Sequence, residues 1–196
     1  MKKIEIAFAA ALVICVAASA MQLPFSRNCE EIRSDTLRLH IVANSDSDED
    51  QDIKLAVRDE LLKNSGTLLT GAEGKDEAAD LISQNISGIE SIANDILRQG
   101  GFDYGANAYV TEMFFEQRSY ENVTLPAGYY TALRIELGDA AGHNWWCVVY
   151  PTLCVPSACE DGLDEYSDDE KEIILDEDEK YIIKFKIEEW IQQLLK

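Results

Sequence analysis

Residues 37–50 read Leu-Arg-Leu-His-Ile-Val-Ala-Asn-Ser-Asp-Ser-Asp-Glu-Asp, and the change of period inside them sets the fold class. Leu37, Leu39 and Ile41 alternate with Arg38, His40 and Val42, the two-residue period of a strand with one face buried. Asn44-Ser45-Asp46-Ser47 then stops the strand, because short polar side chains bond to nearby backbone in turns. Ser47 and Asp50 stand at capping-box spacing, with Asp a shorter partner than Glu. Ile53, Val57 and Leu61 follow at helical spacing, and Asp50–Lys54 and Asp59–Lys63 add i,i+4 charge pairs. A helix is therefore predicted over about residues 48–63.

Leu68 to Gly74 reads as a linker, and a second helix is predicted from about Asp76 to Arg98. Its stripe is Ile82, Ile86, Ile89, Ala93 and Ile96, and Gly100-Gly101 ends it. After Gly105 the period shortens. Ala108 to Glu116 is rich in β-formers, and Leu125-Pro126-Ala127-Gly128 has the signature of a type I turn. Residues 129–137 then alternate as a half-buried strand. Trp145-Trp146-Cys147-Val148-Val149-Tyr150 is apolar on both faces, which predicts a central strand. The order β-α-α-β-β-β implies an α+β fold, a mainly antiparallel sheet with two helices on one face. Residues 32–156 make one such domain. Residues 157–196 are an acidic linker followed by a helix whose stripe is Ile183, Ile187, Trp190, Ile191, Leu194 and Leu195.

The chain has 196 residues, 46% of them apolar, with 17 Lys and Arg against 37 Asp and Glu for a net charge of −20. That balance excludes a basic footprint for nucleic acid and an electrostatic hold on anionic lipid. The N-terminus is an export signal. Lys2 and Lys3 precede an apolar run from Ile6 to Ala20, and Ala18-Ser19-Ala20 offers a peptidase site before Met21. Left uncleaved, residues 4–23 are long enough to anchor the chain in a bilayer.

Export leaves Cys29, Cys147, Cys154 and Cys159 in an oxidising space, with three possible full pairings. Cys147 and Cys154 flank a reversal at Pro151, and a bridge there would stabilise by about 2.5 kcal/mol on loop entropy. Cys29 with Cys159 is the weaker second pair. Unpaired thiols remain an alternative. A zinc site from His143, Cys147, Cys154 and Cys159 lacks the close Cys pair of structural zinc modules.

The corner after the first strand holds His40, Asn44, Ser45 and Asp46, and its plain reading is turn and cap chemistry. A Ser45 nucleophile with His40 as base would make a hydrolase, but no strand–G-x-S-x-G–helix context surrounds it. No phosphate loop, dinucleotide fingerprint or calcium loop occurs, so no cofactor or metal is expected. Asn144, Trp145 and Trp146 suit either a sheet core or a protein contact, where Trp buries a large rigid area.

Two stretches carry a resemblance. L-R-L-H-I-V-A-N-S-D-S (37–47), and L-P-A-G-Y-Y-T-A-L-R-I-E-L-G (125–138) with G-H-N-W-W-C-V-V-Y-P-T-L-C (142–154), resemble the stage II sporulation protein R family over roughly Ile32 to Val155. The resemblance implies a non-enzymatic signal made in the forespore and exported into the space between forespore and mother cell. There it would trigger a membrane-bound aspartic protease of the mother cell to process the precursor of its early sigma factor. It implies no catalytic residue, nucleic acid or small-molecule substrate, and membrane contact only through an uncleaved N-terminus. His40, Asn44, Ser45, Asp46, Asn144, Trp145 and Trp146 match the family pattern and are the residues expected at the receptor. On that view His40→Ala and Asp46→Ala would spare the fold and cut processing. The alternatives are the His40/Ser45 hydrolase and an envelope-associated structural domain.

Overall fold

The computed structural model describes residues 2–120, 123–151, 163–175 and 180–195. Two units emerge: Ser34–Phe115 with Tyr129–Ser167, and Met1–Arg33 with Glu116–Gly128 and Asp168–Lys196.

The unit from Ser34 is the expected α+β fold. Its sheet runs in the order β2 (Ala106–Phe115), β5 (Gly128–Leu137), β1 (Leu37–Val42), β6 (Asn144–Tyr150). The sheet is mixed, because β1 pairs parallel with β5 and antiparallel with β6. Helices α2 (Asp48–Leu68), α3 (Lys75–Gln84) and α4 (Ile86–Gln99) supply one layer. Their Val57, Leu61, Ala78, Ile82, Ile89, Ala93 and Leu97 bury against Leu37, Leu39, Ile41, Leu133, Ile135, Leu137 and Cys147. Burial at this scale is the main favourable contribution to folding.

Three expectations change. The single helix over 76–98 is two, broken at Asn85, whose N–H reaches back to the Leu81 and Ile82 carbonyls. Strand β1 is buried on both faces, not one: all six residues are inside, Arg38 and His40 included. The Trp-rich strand β6 lies at the sheet edge, and β5 and β1 are central. Its two faces are covered all the same, one by each neighbouring layer of side chains. Arg58 lies over Trp145 at 4.3 Å, and His40 stacks on Trp146 at 3.9 Å.

In the other unit, helix α1 (Lys2–Asp35) carries the N-terminal apolar run, fully exposed from Ile4 to Val16. Its later turns hold α6 (Ile182–Leu195): Phe25 stacks on Tyr181 and meets Phe185 edge-on. Arg33 and Glu188, both buried, form an ion pair at 3.2 Å, and Arg33 also donates to the Ala127 carbonyl at 2.9 Å. A Cβ on Gly128 would stand 2.5 Å from Arg33 Cδ, so the glycine of the Leu125–Gly128 turn makes room for this side chain. The hairpin of β3 (Arg118–Tyr120) and β4 (Val123–Leu125) and helix α5 (Asp168–Ile174) complete the unit. Cys29 is a free, fully buried thiol on α1, which overturns its pairing with Cys159. Cys154 and Cys159 lie outside the described residues, so the Cys147–Cys154 bridge does too, and no disulfide joins two described residues.

Candidate functional site

Strand β1 delivers the chain into a corner that the β5–β6 loop grips. Ala43 accepts from the Gly142 N–H at 2.9 Å, and Asn44 accepts from Ala141 at 3.1 Å through its carbonyl and from Asp139 at 2.9 Å through Oδ1. Two glycines permit this approach. A Cβ on Gly138 (φ +56°) would lie 2.2 Å from Asn44 Oδ1, and one on Gly142 would lie 2.1 Å from the Ser45 carbonyl oxygen. The early and late motifs are thus one piece of structure.

The hub of the corner is Asp50, in the first turn of α2 and 5% exposed. Asn44 Nδ2 donates to it at 2.9 Å, Ser45 Oγ at 2.5 Å, and Tyr104 donates through its hydroxyl. Burial alone would raise its pKa, but these donors outweigh it and hold the carboxyl below the usual range. Ser47 caps the helix, its Oγ accepting from the Asp50 N–H at 3.2 Å. Beside it buried Lys54 donates to the His143 carbonyl at 2.9 Å. At the exposed rim Asp46 accepts from the His143 N–H at 2.7 Å and pairs with His143 Nδ1.

A second set of polar groups crosses the sheet face that α2–α4 leave uncovered. Tyr109 donates to Glu136 at 3.0 Å, and Arg134 donates to the same carboxylate oxygen at 2.8 Å. Arg134 also reaches His40 Nδ1 at 3.4 Å, and His40 Nε2 meets Asn144 Oδ1 at 2.9 Å. Arginine is always a donor, so Nδ1 accepts and the proton sits on Nε2. His40 is 2% exposed and stacks on Trp146 with the rings 5° from parallel. Burial pushes its pKa down to about 4, so the ring is neutral. Further along, Arg38 lies buried over the Phe115 ring at 4.3 Å.

Both nitrogens of His40 are therefore engaged away from Ser45, whose own proton goes to Asp50. The hydrolase pair is not assembled. No group of three His, Cys, Asp or Glu able to hold a metal occurs among the described residues.

The profile of the stage II sporulation protein R family matches residues 33–160. The chain belongs to that family. The stage II sporulation protein R of Bacillus subtilis (strain 168) is 36% identical over 123 residues, 63% of this chain and 55% of that protein. The chain thus spans about half the length of this curated relative. No solved structure matches.

Set against the family motifs, the expected contact residues separate into two groups. Asp46 and Asn144 are exposed, whereas His40 is inside and Asn44 and Ser45 are occupied with Asp50. Trp146 serves the His40 face, and Trp145 faces the helix side, its indole N–H buried without a hydrogen-bond partner among the described residues. Replacing His40 therefore acts on the fold first. Sequence reasoning passed over Tyr104, Arg134 and Glu136, because Asp50, His40 and Tyr109, which they meet, lie 54, 94 and 27 residues away and no local spacing marks them.

Proposed function

We propose that this chain is an exported sporulation signal that works by binding. Its receptor is a membrane-bound aspartic protease of the mother cell, which then processes the precursor of the early sigma factor. The signal acts in the space between forespore and mother cell, with residues 1–20 as its export signal and Cys147 bridged to Cys154. The exposed apolar start of α1 is consistent with a secreted protein. One observation carries the reading: the two family motifs lock together, and the side chains that could do chemistry are spent in fixing that shape. What remains exposed at this corner is a rim of Asp46, His143 and Asn144, with Asp46 bonded to His143 and Asn144 bonded to His40. A ligand activates a receptor by binding its active state more tightly than its inactive one, and a preorganised rim does so at low entropic cost.

The test is co-expression with the protease and the sigma-factor precursor in a non-sporulating host, read on a blot. Processed factor is expected only when this chain is exported. Processing without it, or none with it, overturns the proposal.

A further inference from the structure

The C-terminal helix presents its apolar stripe outward. Along α6, Phe185 and Glu188 turn inward, while Ile183 is 75% exposed, Trp190 67%, Leu194 87% and Leu195 73%. Ile187 and Ile191 lie on the same outward side, where with Ser19, Leu23 and Ser26 they line a cleft against α1. The helix is fixed to α1 directly after the apolar run: Gln22 Nε2 donates to the Lys184 carbonyl at 3.3 Å, and Ser26 Oγ to Glu188 at 2.7 Å. That run is apolar and exposed along its length. At 1.5 Å per residue, Gln22 and Ser26 follow Ala20 by only about 3–9 Å along the helix axis.

We propose that α6 is an interfacial helix whose outward stripe inserts into a lipid surface. Three observations favour lipid as the occupant. The stripe begins beside a segment that itself suits hydrocarbon. Trp190 is the residue type that settles at headgroup level, and exposed Lys180 and Lys186, paired with Glu172 and Glu189, lay apolar stems beside the start of the stripe, while the Lys184 ammonium lies over the Phe25 and Tyr181 rings. A net charge of −20 opposes attraction to anionic lipid, so the hold is apolar insertion into zwitterionic lipid and insensitive to salt. This inference stands independently of the receptor reading.

The full chain is reconstituted in phosphatidylcholine vesicles carrying either ordinary or brominated acyl chains, and tryptophan emission is compared. Bromine quenches an indole it touches, so emission falls in brominated lipid, equally at low and high salt, and Trp190→Ala abolishes the fall. An Ile183→Glu/Leu194→Glu double variant, at positions 75% and 87% exposed, keeps the fold by circular dichroism and also abolishes it. Equal emission of the native chain in the two lipids overturns the proposal. So does quenching that survives Trp190→Ala. An unquenched chain that cross-links as a dimer, and as a monomer in the double variant, assigns the stripe to a second copy and overturns it as well.

Discussion

Helices α4 and α6 carry similar apolar patterns and meet opposite fates. In α4, Ile89, Ala93 and Leu97 are fully buried against the sheet. The helix is also tied to β2, where Ala106 N–H donates to Asn94 at 2.9 Å and Ala108 N–H to Glu90 at 2.9 Å. In α6 the residues at matching spacing face outward, and the buried side holds Phe185 and a charged Glu188. The lesson is physical. A 3.6-residue period states that one face needs cover and leaves open what supplies it, whether a sheet, another chain or lipid.

The sharpest way to break this comparison is matched truncation. Ile89→Ala removes fully buried methyl groups and leaves a cavity, so it should cost about 2–5 kcal/mol. Ile183→Ala, on a side chain 75% exposed, should stay within about 0.5 kcal/mol. Urea unfolding followed by circular dichroism reads both. Similar shifts would mean that α6 is covered in the free chain, and the contrast would disappear.

A smaller effect separates the two faces of the sheet. The helix-side face is apolar and indifferent to pH, whereas the other holds neutral His40 among Trp146, Asn144 and Arg134, with Glu136 beyond. The folded ring takes a proton only near pH 4, while the unfolded chain takes one below about 6.5. The unfolded state therefore binds more protons between these values. Stability is intact above pH 6.5 and falls as the pH drops toward 4, by an amount on the order of 3 kcal/mol. Asp50 and Glu136, held below the usual carboxylate range, contribute their losses at lower pH. The slope above pH 5 thus belongs to His40. Urea midpoints at pH 7, 6 and 5 should decline for the native chain and stay level for His40→Gln, which starts lower. An equal decline in both would place the titration elsewhere.

Local pattern made β1, the turn at 44–47 and the start of α2 readable, because each depends on neighbours within four residues. The break at Asn85 was hidden because Ile82, Ile86 and Ile89 continue the stripe across it, and only the Asn85 backbone, at φ −105° and ψ 12°, reveals it. The burial of Arg38 and His40 was hidden for a different reason. Alternation marks them as polar, but Phe115, Tyr130 and Trp146 from three other strands provide aromatic faces that accept them. At the candidate site the residue types were visible and the pairing was not. Asn44 and Asp139 are 95 residues apart, and the glycines that let them meet look like ordinary loop residues until the approach distances are known.

The smallest effect on stability, and the most telling for function, lies in two carboxylates four residues apart. Asp50 is buried and receives three side-chain donors, so its loss would strand Asn44, Ser45 and Tyr104. Asp46 is exposed, and among the described residues its hydrogen bonds join it to His143, itself 76% exposed at the side chain. Exposed pairs contribute little because water screens them and two side chains must be ordered to form them. Asp46→Ala should therefore lower stability by less than about 1 kcal/mol and leave export unchanged. If the rim touches the receptor, the same variant should abolish most processing of the sigma-factor precursor in the co-expression assay. His143→Ala should behave alike, since it removes the other half of the pair. Normal processing by both variants would move the contact away from the corner. Loss of processing together with loss of soluble protein would show that Asp46 belongs with Asp50, as part of the frame.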